Sequence, residues 1–549
     1  MTTTAPHDAT THAVTNQAPP LAPYDAADDA ALLEGLRREG ADWAEPDIRR
    51  LGGLAGGVEA QTWADQANRY PPELRTHDRY GNRVDEVEFH PSWHSLMRVA
   101  VAEGGAASAW ADGRPGAHVA RVAVSLVWGH TEAGHGCPVS MTYAAVPALR
   151  KQPDLAAVYE PLLVSRVYDP GLRVPSTKRG ILAGMGMTEK QGGSDVRTNT
   201  TAATPTAEPG VYTLRGHKWF TSAPMCDVFL VLAQAPGGLS CFLVPRVLPD
   251  GTRNAFRIQR LKDKLGNRSN ASSEPEFEDT VAWLVGPEGQ GVKTIIEMVN
   301  CTRLDCVAGT ATLMRKALVE AGHHTRHRAA FGARLIDQPL MRNVLADLAV
   351  ESEAATVLTL RLAGAADRAL RGDGQEQAFR RIATAVGKYW VTKRGPAFTA
   401  EALECLGGNG YVEDSGMPRL YREAPLLSIW EGSGNVNALD VLRALGRSPS
   451  TAEALMAELA QARGADARLD AATARLHAEL SDPDGIEGRA RRVVELMALV
   501  LQGSLLVRHS PAAVADAFCA SRLGGDWGHA FGTLPSSADV TAILDRALP

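Results

Sequence analysis

The chain has 549 residues, 45% of them apolar and 22% charged, the composition of a folded, soluble protein. Lys and Arg number 57 against 63 Asp and Glu, a net charge of −6 that excludes a globally basic nucleic-acid binder and leaves only local patches. The longest apolar run, Leu496 to Val507, is too short to cross a bilayer, and no apolar leader or Arg-rich transit segment precedes Arg37, so a cytoplasmic protein is expected.

Residues 1–28 are rich in Thr, Ala and Pro and predict a disordered tail, because they bury too little to offset their ordering entropy. Residues 29–180 read as a helical domain, with Ala30–Arg38 and Gly116–Gly129 carrying Ala/Leu/Val-rich patterns. Across 181–288 the texture changes. The runs 211–220, 228–234 and 239–247 are rich in Val, Leu, Phe and Tyr and are parted by Gly, Pro and Asp, which predicts antiparallel strands with tight turns. Residues 289–446 return to helical spacing, with Met341, Leu345, Leu348, Ala355, Leu358 and Leu362 on one face and an interruption at Ser352. A helical extension, 447–549, breaks at Pro483, Pro511 and Gly524–Gly525. Segregated helices and strands make the fold class α+β. The seven cysteines are scattered with no C-x-x-C, so they read as reduced thiols without a structural zinc.

Five segments carry candidate chemistry. Gly184-Met-Gly-Met-Thr-Glu-Lys-Gln-Gly-Gly-Ser-Asp195 exposes backbone N–H groups and lets a ligand approach closely; a plain glycine-rich turn is the alternative. His217-Lys-Trp-Phe-Thr-Ser222 offers a flat wall and a hydroxyl to a planar ring, or is simply a core strand. Arg326-His-Arg-Ala-Ala-Phe-Gly332 suits a pyrophosphate, since guanidinium binds phosphate bidentately, or is a solvated basic face. Leu406-Gly-Gly-Asn-Gly-Tyr411 is a close-approach loop or a helix-ending turn. Ile429-Trp-Glu-Gly-Ser-Gly-Asn435 places Glu431 beside Trp430 on a glycine-bounded turn: a base with a raised pKa, or a charge favoured at a helix start.

Taken in order, these segments resemble the acyl-CoA dehydrogenase flavoproteins. The shared landmarks are Thr188-Glu…Gly193-Ser-Asp195, Lys218-Trp-Phe-Thr221, Arg328-x-x-Phe331-Gly332, Gly407-Gly-Asn-Gly410 and Trp430-Glu-Gly432. The unbroken stretches Gly184–Asp195 and Arg260-Leu-Lys-Asp-Lys-Leu-Gly-Asn-Arg-Ser-Asn-Ala271 are similar to the adaptive-response, AidB-type branch. So are Phe89-His-Pro-x-Trp93, Gln338-Pro-Leu-Met-Arg342 and Arg419-Leu-Tyr-Arg-Glu423. The resemblance spans about 30–446 and continues more weakly through the extension.

It implies an N-terminal helical domain, a middle β domain and a C-terminal four-helix bundle, assembled as a homotetramer around FAD. Met185, Gly186, Met187, Thr188, Gly193 and Ser194 would line the flavin. Trp219, Phe220 and Thr221 would back its ring. Ile429, Trp430, Gly432, Ser433 and Asn435 would close the site, and Gly407 and Gly408 would approach the cofactor. Equivalents of Arg328 and Phe331 reach the adenine–pyrophosphate part of a neighbouring subunit's FAD. Glu404 replaces a common Gln, and Ala330 offers no hydroxyl. Glu431 would take the α-proton of an acyl-CoA while hydride leaves for the flavin, and an electron acceptor is implied.

The branch also implies DNA association in an alkylation response. Residues 451–549 weigh against it, with nine Arg, no Lys and thirteen acidic residues. The arginines at 489, 491 and 492, with Arg380, Arg381, Lys388, Lys393 and Arg394 of the bundle, are the basic residues left for such a surface. Three alternatives stay open: a dehydrogenase for a short or branched acyl-CoA, a flavin-dependent oxygenase, and a non-catalytic DNA-shielding protein.

Overall fold

The computed structural model describes residues 11–548. The first ten residues of the expected tail lie outside the described part. The rest of that tail is pinned from Asn16 onward: Tyr24 and Ala26 hydrogen-bond through their backbone N–H groups to the carbonyls of Gly56 and Gly52. The helical domain then follows, with Ala30–Arg38 capped by the Asp29 carboxylate. It also contains an unanticipated hairpin, Glu73–His77 paired with Arg83–Glu88. Charged residues on both faces of these strands hide the alternation that marks a half-buried strand. Helices Ala117–Trp128 and Gly136–Leu149 are almost wholly buried and form the wall that meets the other domains.

The middle domain is a sheet centred on the long strand Ser272–Val285, which pairs antiparallel with Val211–His217, Thr221–Ser222, Gly238–Pro245 and Phe256–Leu261. Two expectations are corrected here. The sheet is mixed, because Ala183–Gly186 pairs parallel with Val228–Ala235. The predicted run 211–220 stops at His217, because the Trp219 backbone N–H leaves the ladder for the Thr188 carbonyl.

Three long helices, Gly291–His327, Pro339–Leu370 and Gly374–Glu404, form the bundle. The second passes unbroken through Ser352, which is buried inside it. The fourth position is filled by two shorter helices, Met417–Leu427 and Gly434–Arg447, and the break between them carries Glu431. The extension packs back on the bundle through buried ion pairs: Arg361 with Glu458, Arg522 with Asp347 and Glu351, and Arg546 with Glu353. No helix among the described residues is long and apolar enough to cross a membrane.

Candidate active site

Two walls face each other across the junction of β domain and bundle. The β wall is the loop 185–194 laid on the segment 217–222. Trp219 donates its N–H to the Thr188 carbonyl at 2.8 Å. Beneath them Lys218 Nζ lies 2.7 Å from Glu189 Oε1, both side chains fully buried. Glu189 also accepts the N–H groups of Thr200 and Thr201 and the Gln191 amide. Burial would raise its pKa, but the Lys218 charge and these hydrogen bonds hold it at about 2. This ion pair is what fixes the loop.

The surface so formed is concave. A Cβ on Gly186 would sit 3.2 Å from the Lys218 side chain and 3.4 Å from Thr221 Oγ1, and one on Gly193 would come within 3.0 Å of Thr188. Thr221 is buried, yet its hydroxyl has no hydrogen-bond partner. A buried hydroxyl left unpaired costs free energy, so it marks a place for a ligand heteroatom. Trp219 is half-buried with the Lys262 ammonium 3.5 Å from its ring centroid, and Phe220 is exposed at the rim with Gly193 and Ser194. A glycine-lined cradle, an indole wall and an orphan hydroxyl fit a flavin ring.

The bundle wall is the loop 429–433. Glu431 adopts φ +57° and Gly432 φ +96°, a left-handed pair that a non-glycine residue holds only under constraint. The constraints are visible. Arg303 Nε donates to the Glu431 carbonyl at 3.1 Å while its Nη1 lies 2.7 Å from Asp440, which Arg381 also grips. Lys388 Nζ and Asn437 Nδ2 both donate to the Gly432 carbonyl. Thr302 Oγ1 donates to Glu431 Oε2 at 2.7 Å. Burial pushes the Glu431 carboxyl above the usual range, and the Thr302 hydrogen bond and the Arg303 and Lys388 charges restrain that rise. Trp430 is half-buried behind it, while Ile429, Ser433 and Asn435 are exposed around the opening.

Cys137, at the start of helix Gly136–Leu149, joins the walls: its thiol lies beside Ser222 and Asn270 and feels the Glu431 charge. The end of the segment 217–222 and the loop 429–433 therefore meet at Cys137, and Trp219 ties Met185–Thr188 to the first of them. Arg328, Phe331, Gly407 and Gly408 do not join them within one chain. Arg328 follows Thr302 by 26 residues along one helix and its end, about 39 Å at 1.5 Å per residue. Gly407 lies beyond the end of the helix whose middle carries Lys388. Phe331, fully exposed at φ +53°, tips a two-residue hairpin turn with Gly332, and Arg328 donates to the Asn16 carbonyl.

Three family models match the chain. "Adaptive response protein AidB N-terminal domain" covers residues 16–170, "Acyl-CoA dehydrogenase, middle domain" covers 184–280, and "Acyl-CoA dehydrogenase, C-terminal domain" covers 289–446. The Escherichia coli (strain K12) protein "Putative acyl-CoA dehydrogenase AidB" is 46% identical over 93% of this chain and 94% of its own. The chain belongs to the acyl-CoA dehydrogenase family, in its AidB branch. Acyl-CoA dehydrogenases are FAD-dependent oxidoreductases acting on CH–CH bonds, and this chain is one of them by sequence and fold. "Acyl-CoA dehydrogenase family member 11" of Caenorhabditis elegans is 31% identical over 70% of this chain and 64% of its own. The crystal structure of C. elegans ACDH-11 in complex with C11-CoA has a TM-score of 0.83 at 28% identity, covering 95% of each chain.

Sequence reasoning passed over Thr302, Arg303 and Asp440 and the position of Lys388, which together hold the Glu431 loop. Lys388 had been grouped with the basic residues of a DNA surface, as had Arg381 and Arg394. Lys388 is buried on Gly432, Arg381 pairs with Asp440, and Arg394 pairs with Glu351. In the extension Arg489 and Arg492 pair with Glu479, and Arg491 donates to the Tyr389 hydroxyl. Arg381 and Arg394 find acidic partners 59 and 43 residues away, which no local charge count reveals.

Proposed function

We propose that the chain oxidises an acyl-CoA to the α,β-enoyl thioester, with Glu431 as base and FAD seated between the 185–194/219–221 cradle and the 429–435 loop. The observation that carries this reading is the pairing of a desolvated, Thr302-oriented carboxylate with an unpartnered buried Thr221 hydroxyl across one cleft. Bound FAD supplies the two-electron acceptor for hydride leaving the β-carbon. The rest falls to the protein. Thr302 engages Oε2, and Oε1 makes no hydrogen bond among the described residues, so it is the oxygen placed to accept the α-proton. The raised pKa makes Glu431 a stronger base than an exposed carboxylate. Thr221 and Thr188 would offer their hydroxyls to the ring, and Trp219 would close one side. The C11-CoA complex of the C. elegans protein supports a CoA thioester as the ligand class.

A homotetramer accounts for the segments left outside the single-chain site. The hairpin at 329–334 and the Gly407–Gly408 loop project away from their own cleft, where a neighbouring copy's cofactor can meet them. Nucleic-acid association draws no comparable support, since Arg381, Arg394, Arg489 and Arg492 are engaged in ion pairs and Lys388 and Arg491 are hydrogen-bonded within the chain. The test is anaerobic titration of the FAD-loaded protein with acyl-CoAs, followed at the flavin absorbance band. Bleaching that Glu431→Gln abolishes is the expected result. An undiminished reaction in that variant would remove Glu431 from the role.

A further inference from the structure

Just past Glu431, the gap between helices Gly136–Leu149 and Gly291–His327 has polar walls. Residues three apart on a helix share a face. Cys137 and Ser140 therefore line one side, one turn apart, and Thr302 and Asp305 line the other. The first rung, Cys137 against Thr302 and Glu431, is the site already described. The second rung is Asp305, which accepts from Ser140 Oγ and from both terminal nitrogens of Arg121.

Arg121 comes from a third helix, Ala117–Trp128. Its side chain is 2% exposed, stacks 4.1 Å over the Tyr143 ring and donates Nε to the Gly105 carbonyl. Asp305 keeps 12% exposure, and Ser140 and Cys137 are half-buried, so the polar edge of this bridge between the helices is partly accessible. A buried ion pair of this kind is costly to strip of its remaining polar contacts. An alkyl chain pushed against it would do so and return nothing.

We propose that Arg121, Asp305 and Ser140 form the end wall of the acyl pocket and select a short acyl group whose far end donates a hydrogen bond, such as a hydroxyl or amide. The choice of donor follows from the open valences. Arg121 gives Nε–H to Gly105 and one N–H from each terminal nitrogen to Asp305, and at 2% exposure, stacked on Tyr143, its remaining two N–H groups are withdrawn from the gap. Asp305 accepts three hydrogen bonds where a carboxylate can take about four. The Ser140 oxygen, having given its proton to Asp305, presents only lone pairs. What faces the gap is therefore acceptor-rich, with Glu431 adding a second carboxylate. A terminal carboxylate on the substrate is disfavoured for the same reason. The inference rests on the dehydrogenase reading and deepens it by naming the acyl end.

The test uses the FAD-loaded protein and three thioesters: butyryl-CoA, γ-hydroxybutyryl-CoA and octanoyl-CoA. Bleaching is followed anaerobically. Binding alone is followed with β-thia analogues of the butyryl and octanoyl compounds, in which sulfur replaces the β-methylene and no hydride can leave. γ-Hydroxybutyryl-CoA is expected to act at a concentration about tenfold below butyryl-CoA, with octanoyl-CoA weakest. The double substitution Arg121→Leu with Asp305→Leu removes both charges together and is expected to bring octanoyl affinity up by at least about tenfold. Ser140→Val, which keeps the ion pair, is the milder variant and is expected to erase the hydroxyl preference if the double variant does not fold.

Octanoyl-CoA acting as well as γ-hydroxybutyryl-CoA on the unsubstituted protein would overturn the proposal while leaving the dehydrogenase intact. Analogue binding that keeps the short-chain ranking, with no bleaching by any thioester, would support the pocket assignment and overturn the dehydrogenase reading. Absence of binding by every compound would overturn both.

Discussion

Glu431 is a residue whose chemistry is set from two directions at once. Burial raises its pKa, and Thr302 lowers it again by donating to Oε2. A base must be ionised, so flavin reduction rises with pH through that raised pKa. Thr302→Val removes a hydrogen bond to the charged form, which moves the midpoint upward. The displacement is expected to be about one pH unit, the size of a charged hydrogen bond. Stopped-flow bleaching rates across pH measure it, and Thr302→Ser is expected to restore the original profile. A profile unmoved in Thr302→Val would mean that the hydroxyl does not engage the carboxylate in solution. Glu431 itself was legible in the sequence, because Trp-Glu-Gly is local. Thr302 was not, because a threonine inside a 37-residue helix carries no local mark of the side chain it meets 129 residues later.

The loop 185–194 shows how an element with few apolar residues is held still. Its anchor is the buried Glu189–Lys218 pair, and the backbone N–H groups of Thr200 and Thr201 complete the carboxylate's shell. Removing one member of a buried pair leaves the other uncompensated. Lys218→Met is therefore expected to destabilise the β domain by about 3–5 kcal/mol and to speed FAD release. Thermal unfolding and the rate of flavin fluorescence recovery on dilution are the measurements. Retention of the cofactor at the parent rate would show that the pair does not fix the loop. Both residues sit inside motifs that the sequence made conspicuous, yet their pairing was not legible. The glycine-rich composition of the loop also hid the strand Ala183–Gly186, whose partner lies across a parallel connection. Strand, bundle and extension were otherwise readable from periodicity, because their apolar faces repeat over many residues.

At the scale of the whole molecule, the Glu431 loop lies against the body of the bundle on Thr302, Arg303 and Lys388, and the Arg328–Phe331 hairpin lies beyond the end of the helix that carries the first two. Phe331 projects fully into solvent, and a large apolar side chain in that position suits a contact with another copy. Phe331→Asp is expected to lower the assembly state seen by sedimentation velocity and to weaken FAD retention together. Loss of assembly with unchanged FAD retention would separate the hairpin from the cofactor. Resemblance named Arg328 and Phe331 for a neighbouring subunit from the sequence, whereas the position of Gly407 and Gly408 beyond the end of their helix was not legible.

The helix Gly291–His327 joins the cleft to the hairpin as one rod, and its length works as a gauge. Each residue added or removed between Asp305 and His327 would turn the hairpin by about 100° around the rod and slide it by about 1.5 Å. The aromatic tip would then point away from whatever it meets in a neighbouring copy, although every residue of the local cleft stayed in place. Point substitutions along that stretch are tolerable wherever packing allows, whereas its count of residues is not free to drift.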